Sequence, residues 1–175
     1  MSSAEVLAPE LLVLVGPMGA GKTSVGRRVA KATGLRFVDT DKVIAREHGP
    51  IPEIFAEYGE TQFRVWERAV VAEAVAGGGV ISLGGGAVLD ADTRSLLQTA
   101  PVVLLTVSAE AVAARIAGDA RPLLHGEEDP VQRWSRIFAE RRALYEEVAD
   151  AHFDTSRVPM SRVAEQVVEW MRGRA

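Results

Sequence analysis

The chain of 175 residues contains no cysteine and no asparagine. The absence of cysteine excludes disulfides, thiolate metal sites and cysteine nucleophiles. The absence of asparagine excludes the Asn-Lys-x-Asp motif with which GTPases recognise guanine. The three histidines, His48, His125 and His152, are scattered and lack the spacing of a zinc site. The sequence therefore lacks the residues for several common metal centres and for guanine recognition.

Long apolar runs and basic clusters are also missing. No apolar stretch reaches the ~20 residues of a membrane span, and residues 1–10 carry no basic leader of a signal or transit peptide. The 20 basic and 24 acidic residues give a net charge of −4, and no run of basic residues would neutralise a row of phosphates. We expect the partners of this protein to include neither a membrane nor a nucleic acid.

Apolar residues make up 47% of the chain, which is enough for one hydrophobic core. Apolar runs predict strands at Leu11–Val15, 35–38, 80–83 and 102–107, with a weaker strand at 152–154. Strands that are apolar on both faces and alternate with helices form mainly parallel sheets covered on both sides. The sequence predicts a three-layer α/β fold with a mainly five-stranded parallel sheet, in a single domain over 1–175 whose core is about 11–172.

Capping residues indicate where two helices begin or end. A helical pattern over about 22–32 is followed by Gly34, which suits the left-handed conformation of a C-terminal cap. Asp129 and Pro130 are a favourable N-cap and first-turn pair. We therefore expect one helix to end at Gly34 and another to begin at Pro130.

The longest helical segment, 51–76, carries the aromatic residues Phe55, Phe63 and Trp66. We assign these rings to the core, with a pocket wall as the alternative for the two phenylalanines. Residues 77–79 are predicted to form a turn. The polar stretch 118–129 is either an ordinary surface loop or a mobile lid.

A phosphate-binding pattern follows the first strand directly. Its residues match G-x-x-x-x-G-K-[ST] and lead into a helical pattern: Gly16-Pro17-Met18-Gly19-Ala20-Gly21-Lys22-Thr23. The N–H groups of such a loop surround phosphates, while the lysine reaches the β and γ phosphates and the hydroxyl binds Mg²⁺. An exposed lysine after a glycine turn is a weak alternative, because Lys22 is one of only three lysines. We predict ATP contacts at Gly19, Ala20, Gly21, Lys22, Thr23 and Ser24.

The third strand has no carboxylate at its end. ATPase motors and GTPases usually place a metal-linked Asp there, whereas this chain has Gly84, Gly85 and Gly86 and no acidic residue until Asp90. This pattern favours a small kinase, in which acceptor-binding residues surround the γ phosphate. The glycine triplet lets a ligand approach the backbone closely.

Two carboxylates, Asp39 and Asp41, follow the second strand instead. Alternation along an extended segment points both to one side, at the carboxyl edge of the sheet where ligands bind. One of the two can hold a metal through water, while the other accepts the proton of a hydroxyl or orients that hydroxyl. The alternative for Asp41 is the N-cap of a helix beginning near Lys42.

Arg64 and Glu67 lie at i and i+3 of the long helical segment. They form either a surface ion pair worth ~0–1 kcal/mol or a guanidinium held ready for a substrate carboxylate. Arg121 is likewise either a solvated loop charge or a lid residue that stabilises charge in a phosphoryl-transfer transition state.

Taken in order, these motifs resemble those of the shikimate kinase family over about residues 11–157. The matching elements are Gly16 to Thr23, Asp39-Thr40-Asp41, Ile54-Phe55 with Gly59-Glu60, Phe63-Arg64 with Glu67, Leu83-Gly84-Gly85-Gly86, Arg121-Pro122-Leu123-Leu124 and Arg141 with Leu144-Tyr145. The resemblance implies a nucleoside-monophosphate-kinase-like P-loop fold with a mobile lid. It also implies a cytoplasmic, monomeric enzyme of aromatic amino-acid biosynthesis that transfers the γ-phosphoryl of ATP to the 3-hydroxyl of shikimate, with Mg²⁺ as cofactor.

The resemblance also implies residue roles. It places Arg64 and Arg141 on the shikimate carboxylate, Gly85 beside the ring with Gly84 and Gly86, and Asp41 on the acceptor hydroxyls. Lys22, Asp41 and Arg121 are then the catalytic set, with Thr23 and, through water, Asp39 on the metal. The acceptor-binding segment is about 41–76, and the lid is about 117–130.

The nucleotide base has two further expected contacts. Arg115 is the predicted adenine-stacking residue, and Arg157 in the stretch 154–159 is a second nucleotide contact. For the carboxylate we choose Arg141 over its neighbour Arg142, because the family's arginine precedes the tyrosine by four residues.

Two alternatives remain. The first is another small-metabolite P-loop kinase, such as gluconate kinase, since gluconate is also a hydroxy acid. The second is a non-catalytic ATP-binding protein, which has no need for Asp41, Arg64 and Arg141 together. An adenylate-type kinase is disfavoured because the glycine loop and the lid differ from its pattern.

Overall fold

The computed structural model describes residues 10–116 and 128–174. The strands are β1 (Leu11–Val15), β2 (Phe37–Asp39), β3 (Gly79–Ser82), β4 (Val102–Thr106) and β5 (Ala151–Asp154). The helices are α1 (Lys22–Thr33), α2 (Thr40–His48), α3 (Ile51–Gly77), α4 (Ala91–Leu97), α5 (Ala109–Ile116), α6 (Pro130–Val148) and α7 (Met160–Gly173), with a short 3₁₀ turn at Ala87–Leu89. None of the helices in these two ranges is long and apolar enough to cross a membrane.

The five strands form one parallel sheet in the order β2-β3-β1-β4-β5. In the central strand, Val13 lies opposite Ile81 of β3 and Val102 of β4. Because every pairing is parallel, all five carboxyl ends meet at one edge of the sheet. The predicted three-layer α/β fold is confirmed.

Alternate residues of the strands supply two separate cores, which explains why the strand sequences are apolar throughout. Leu12 and Leu14 of β1 pack under α1 and α7, together with Val25 and Val167. The intervening residues of β1 face the opposite layer. That layer is a second buried cluster of Val13, Val15, Val71, Ala74, Leu97, Tyr145 and Val148 with others from β3 and β4.

Some predicted boundaries shift. The second strand is Phe37–Asp39 rather than 35–38, and the turn predicted over 77–79 is confined to Gly78, whose φ is 74°. Gly77 ends α3 and Gly79 begins β3, because the Gly79 N–H donates to the carbonyl of Glu10 at 2.7 Å. Both predicted caps are confirmed. Gly34 follows α1 in the left-handed conformation, with φ 73°. The Asp129 side chain accepts a hydrogen bond from the N–H of Val131, and α6 begins at Pro130.

The long helix α3 is interrupted at Gly59. The φ of 80° and ψ of 169° at this residue are not helical. The bend brings the rings of Phe55 and Phe63 to a centroid distance of 4.9 Å. On the neighbouring surface, Trp66 stacks on His48 at 3.8 Å. Phe63 is buried in a small core between α2 and α3, which includes Ile44. The segment 41–76 is therefore a bent helical arm at the carboxyl edge of the sheet.

Gly16 at the end of β1 has φ +146°, and a Cβ there would overlap the carbonyl oxygen of Leu105. We expect Gly16→Ala to lower the free energy of unfolding by about 3 kcal/mol or more, because backbone atoms rather than a flexible side chain must move. Gly34→Ala is the control, since its Cβ meets nothing within 4 Å and should cost only about 1 kcal/mol. Urea denaturation measures both, and equal losses would contradict the steric explanation.

Candidate active site

A pocket of about 600 Å³ opens at the carboxyl edge of the sheet. Its lining comes from the loop after β1, the end of β2, the glycine triplet after β3, the bent arm and α6. The predicted site residues found in this lining are Gly19, Gly21, Lys22, Thr23, Ser24, Asp39, Asp41, Arg64, Gly84, Gly85, Gly86, Arg115 and Arg141. The structure thus brings predicted residues from six separate segments of the sequence to one cavity.

The P-loop occupies one end of this pocket. The Lys22 ammonium donates hydrogen bonds to the carbonyls of Gly16, at 2.7 Å, and Pro17, at 3.0 Å. Gly19 and Gly21 have φ of 81° and 94°, and α1 begins at Lys22. A positive charge and a helix N-terminus therefore face the cavity together, which is the electrostatic requirement for binding phosphates.

The two carboxylates after β2 have different positions from those expected. Asp39 ends the strand and caps α2 by accepting the N–H of Lys42 at 3.3 Å. Asp41 therefore does not cap the helix, and the extended segment ends before it. Both side chains still line the pocket, because the first turn of α2 directs Asp41 towards the sheet edge.

The glycine triplet packs against protein side chains. A Cβ on Gly84 would lie 2.5 Å from Oδ1 of Asp41 and 3.0 Å from Oε2 of Glu67, and one on Gly86 would overlap the Arg64 guanidinium. The absence of side chains in this loop thus makes room for Asp41 and Arg64.

Arg64 and Glu67 form a buried pair rather than a surface one. Their closest atoms are 2.7 Å apart, and their side chains are only 16% and 3% exposed. The second arm of the Arg64 fork contacts Glu60 at 3.1 Å. Burial raises the pKa of Glu67 to about 7 against the opposing effect of the Arg64 charge, and the nearby Asp41 charge adds to the rise.

This raised pKa predicts a pH dependence of stability. In the folded protein Glu67 holds its proton up to about pH 7, whereas its ordinary pKa is 4.5. Its contribution to the free energy of unfolding is therefore full below pH 4.5 and lost as pH rises through 7. Relative to Glu67→Gln, we expect the wild type to lose roughly 1–3 kcal/mol across this window.

Urea denaturation at a series of pH values measures this effect. Glu73→Gln, an exposed glutamate on the same helix, is the control and should follow the wild-type profile. Parallel profiles for the wild type and Glu67→Gln would show that Glu67 does not titrate in this window.

Helix α6 supplies Arg141, which is 9% exposed and lines the pocket. Its neighbour Arg142 points outward to Glu146, with 3.0 Å between the charged atoms. One turn later, the Tyr145 hydroxyl donates to the Gly85 carbonyl, and burial raises the pKa of this phenol to about 12. Arg141 of α6 and Arg64 of α3 thus both reach the cavity beside the glycine triplet, Arg141 next to Gly85 and Arg64 next to Gly86.

The remaining predicted nucleotide contacts fall into three groups. Arg115 lines the pocket and donates to the carbonyls of Gly19, at 2.9 Å, and Thr155, at 2.8 Å. Arg157 is exposed and is not part of the pocket lining, and Ala20 is fully buried behind the loop. Arg121 and residues 117–127 of the predicted lid lie outside the described residues.

Sequence reasoning missed several lining residues on α6, including Trp134 and Phe138. Their signal is the spacing 134, 138, 141 and 145, which puts the four residues on one helix face. The presence of Arg141 among these aromatic residues marks the face as a pocket wall. Met160 at the start of α7 was also missed, and no motif indicates it.

The P-loop follows the central strand of a parallel sheet with this strand order, and the same cavity also holds a carboxylate and two arginines. These features together define the class of small P-loop kinases. Within that class the chain belongs to the shikimate kinase family, whose model matches residues 18–172.

Similarity to individual proteins supports the same family assignment. A shikimate kinase from Corynebacterium efficiens is 44% identical over 162 residues, which cover 91% of this chain and 95% of the relative. The structure of a shikimate kinase from Acinetobacter baumannii in complex with shikimate is 36% identical in sequence, and it superposes with a TM-score of 0.91 over 99% of this chain and 98% of that chain. A gluconokinase from Sinorhizobium meliloti has a TM-score of 0.60 at 19% identity, over 95% of this chain and 93% of the gluconokinase chain. This likeness shows a shared fold alone. The family prediction is confirmed over its nearest enzyme alternative.

Proposed function

We propose that the protein transfers the γ-phosphoryl group of ATP to the 3-hydroxyl of shikimate, giving shikimate 3-phosphate and ADP on the route to chorismate and the aromatic amino acids. The observation that carries the proposal is the convergence of Asp41, Arg64 and Arg141 in the cavity that holds the P-loop. These groups match a ring with one carboxylate and several hydroxyls. A site that only holds ATP has no use for them.

At the nucleotide end, the amides of the loop and Lys22 bind the β and γ phosphates. The proposed contacts are those at Gly19, Ala20, Gly21, Thr23 and Ser24, with Arg115 stacking on adenine and Arg157 as a further contact. Since Arg115 is already fixed by the carbonyls of Gly19 and Thr155, it offers the base a rigid guanidinium face.

Thr23 and Asp39 fit a Mg²⁺ site. The Thr23 hydroxyl donates to a carboxylate oxygen of Asp39 at 3.2 Å, and both line the pocket. Hard oxygen atoms from one or two residues, completed by water and phosphate, are what Mg²⁺ uses in kinases. When bound with ATP, Mg²⁺ neutralises charge that develops between the β and γ phosphates.

At the acceptor end, Arg64 and Arg141 bind the carboxylate, and the backbone at 84–86 lies beside the ring. Asp41 accepts a hydrogen bond from the 3-hydroxyl, whose oxygen bonds to the γ phosphorus as the bond from that phosphorus to the bridging oxygen of ADP breaks. Glu67 holds the Arg64 fork in place through the 2.7 Å contact. The proton of the hydroxyl passes to Asp41 or, if Asp41 only orients it, to the product phosphate.

The proposal includes the wider organisation of the chain. Residues 1–175 form one kinase domain, with the acceptor-binding segment at about 41–76 and a lid at about 117–130 that brings Arg121 to the transferring phosphoryl group. The protein acts as a monomer in the cytoplasm, with ATP and shikimate as its partners.

Coupled ADP release by the purified protein tests the proposal. Mg-ATP is supplied alone and with shikimate, gluconate or AMP in separate reactions. We expect ADP release above the ATP-only background in the reaction that contains shikimate, and no such increase with gluconate or AMP. Release that depends on gluconate would favour a different metabolite kinase, and ATP binding without acceptor-dependent release would favour a non-catalytic nucleotide-binding protein.

A further inference from the structure

Side chains supply hydrogen-bond donors to five consecutive carbonyls of the P-loop. When a loop turns its N–H groups towards a phosphate, its carbonyls turn the other way and need donors of their own. Here each of the consecutive carbonyls from Gly16 to Ala20 accepts a hydrogen bond from a side chain. The first two partners are both supplied by Lys22, within the loop itself.

The next three carbonyls are held by distant parts of the chain. The Trp134 indole N–H donates to Met18 at 2.7 Å, and the Arg115 guanidinium donates to Gly19 at 2.9 Å. The Thr155 hydroxyl contacts the carbonyl of Ala20 at 2.8 Å. These donors belong to α6, α5 and the segment after β5, so three independent elements fix three neighbouring peptide groups.

Both Trp134 and Thr155 are rigidly held. Trp134 is 3% exposed, and its ring packs against Phe138 with centroids 5.4 Å apart. Thr155 has no exposed surface, and its hydroxyl lies 3.1 Å from the Arg115 guanidinium and 3.2 Å from the carbonyl of Thr106. Donors in buried, packed positions fix peptide orientation better than mobile surface groups, because little side-chain entropy is lost when they bond.

We propose that Trp134 and Thr155 are positioning residues for phosphate binding. By fixing the carbonyls of Met18 and Ala20, they fix the peptide planes between them and keep the N–H groups of these planes directed at the phosphates. The role needs only that the loop binds a nucleotide, so it rests on that part of the proposed function and is independent of the acceptor.

Trp134→Phe and Thr155→Val test the proposal, since each removes a donor and keeps most of the shape. The dissociation constant for Mg-ADP, measured by calorimetry, should rise about fivefold to fiftyfold for each, because a buried carbonyl loses its partner. The KM for ATP should rise in parallel while the KM for shikimate stays within about twofold. Thr155→Ser, which restores the hydroxyl, should return ADP binding close to the wild-type value.

Matched controls separate this role from a general loss of stability. Trp170→Phe changes a tryptophan on α7 whose ring faces Arg174, and Thr33→Val removes a hydroxyl that donates to Val29 within α1 at 2.8 Å. Both should bind Mg-ADP as the wild type does.

Unchanged ADP binding in Trp134→Phe and Thr155→Val would overturn the proposal. So would a Thr155→Ser variant that binds as weakly as Thr155→Val, or equal increases in the KM values for ATP and shikimate, which indicate general disturbance of the fold. If Thr155→Val does not fold, the dissociation constants of Thr155→Ser and Trp134→Phe for Mg-ADP decide whether the proposal stands. Wild-type protein that binds Mg-ADP but does not phosphorylate shikimate would refute the proposed function and leave this test intact.

Discussion

Asp41→Asn should lower kcat for shikimate phosphorylation at least about 100-fold, the usual effect of losing a positioned acid-base group. The side chain lies in the first turn of α2, beside Gly84 and on the cavity wall. An amide of the same size cannot accept a proton at neutral pH, and its NH₂ group can face the acceptor hydroxyl with a donor where an acceptor is required. The dissociation constant for Mg-ATP should stay within a fewfold of the wild type, because the P-loop is unchanged.

Steady-state kinetics and calorimetry on the same preparation provide the two measurements. Asp92→Asn is the matched control, since Asp92 is a carboxylate on α4 with an 84% exposed side chain, and its variant should be fully active. A kcat for Asp41→Asn close to that of the wild type would remove Asp41 from the reaction. If nucleotide binding were lost as well, the defect would instead lie in the folding of the β2–α2 connection.

Arg64→Lys should raise the KM for shikimate about tenfold or more. The substitution keeps the charge and loses the planar fork, which in this structure contacts Glu67 and Glu60 and presents its remaining face to the pocket. A lysine ammonium cannot hold Glu67 and bind a substrate carboxylate in two places at once. Charge-assisted hydrogen bonds of this kind contribute about 1.5–3 kcal/mol, which corresponds to this change in KM.

Arg68→Lys is the matched control for this prediction. Arg68 stands one turn further along α3, is 45% exposed and pairs with Asp90. We expect its variant to keep the wild-type KM for shikimate, and both variants to keep the KM for ATP. An unchanged KM for shikimate in Arg64→Lys would show that the carboxylate is bound elsewhere.

The phosphate-binding half of the site could be predicted from the sequence because a local motif specifies it. Strand, loop, lysine and helix lie within the residues 11–33, and the loop positions with positive φ, Gly16, Gly19 and Gly21, are all glycines. The apolar runs were equally informative, because both faces of each strand are buried. Arg64 and Glu67 could be paired from helical spacing alone.

The acceptor half depends on contacts between distant segments. Spacing indicated that Asp39 and Asp41 belong together, but the helix begins one residue after Asp39, which a strand pattern does not show. The 3% exposure of Glu67 results from the packing of α3 against the triplet after β3. Its raised pKa is consequently a tertiary property. Trp134 looked like one more apolar position of α6, since nothing in the sequence tells that its N–H reaches Met18.

The identity of the product provides the most direct test of the proposed function. Shikimate and Mg-ATP are incubated with the enzyme, and the isolated product is examined by mass spectrometry and by ¹H–³¹P correlation in NMR. We predict one added phosphoryl group, with the phosphorus coupled to the proton at C3. Phosphorus coupled to a different ring proton, or shikimate recovered unchanged beside intact ATP, would contradict the placement of the 3-hydroxyl between Asp41 and the P-loop.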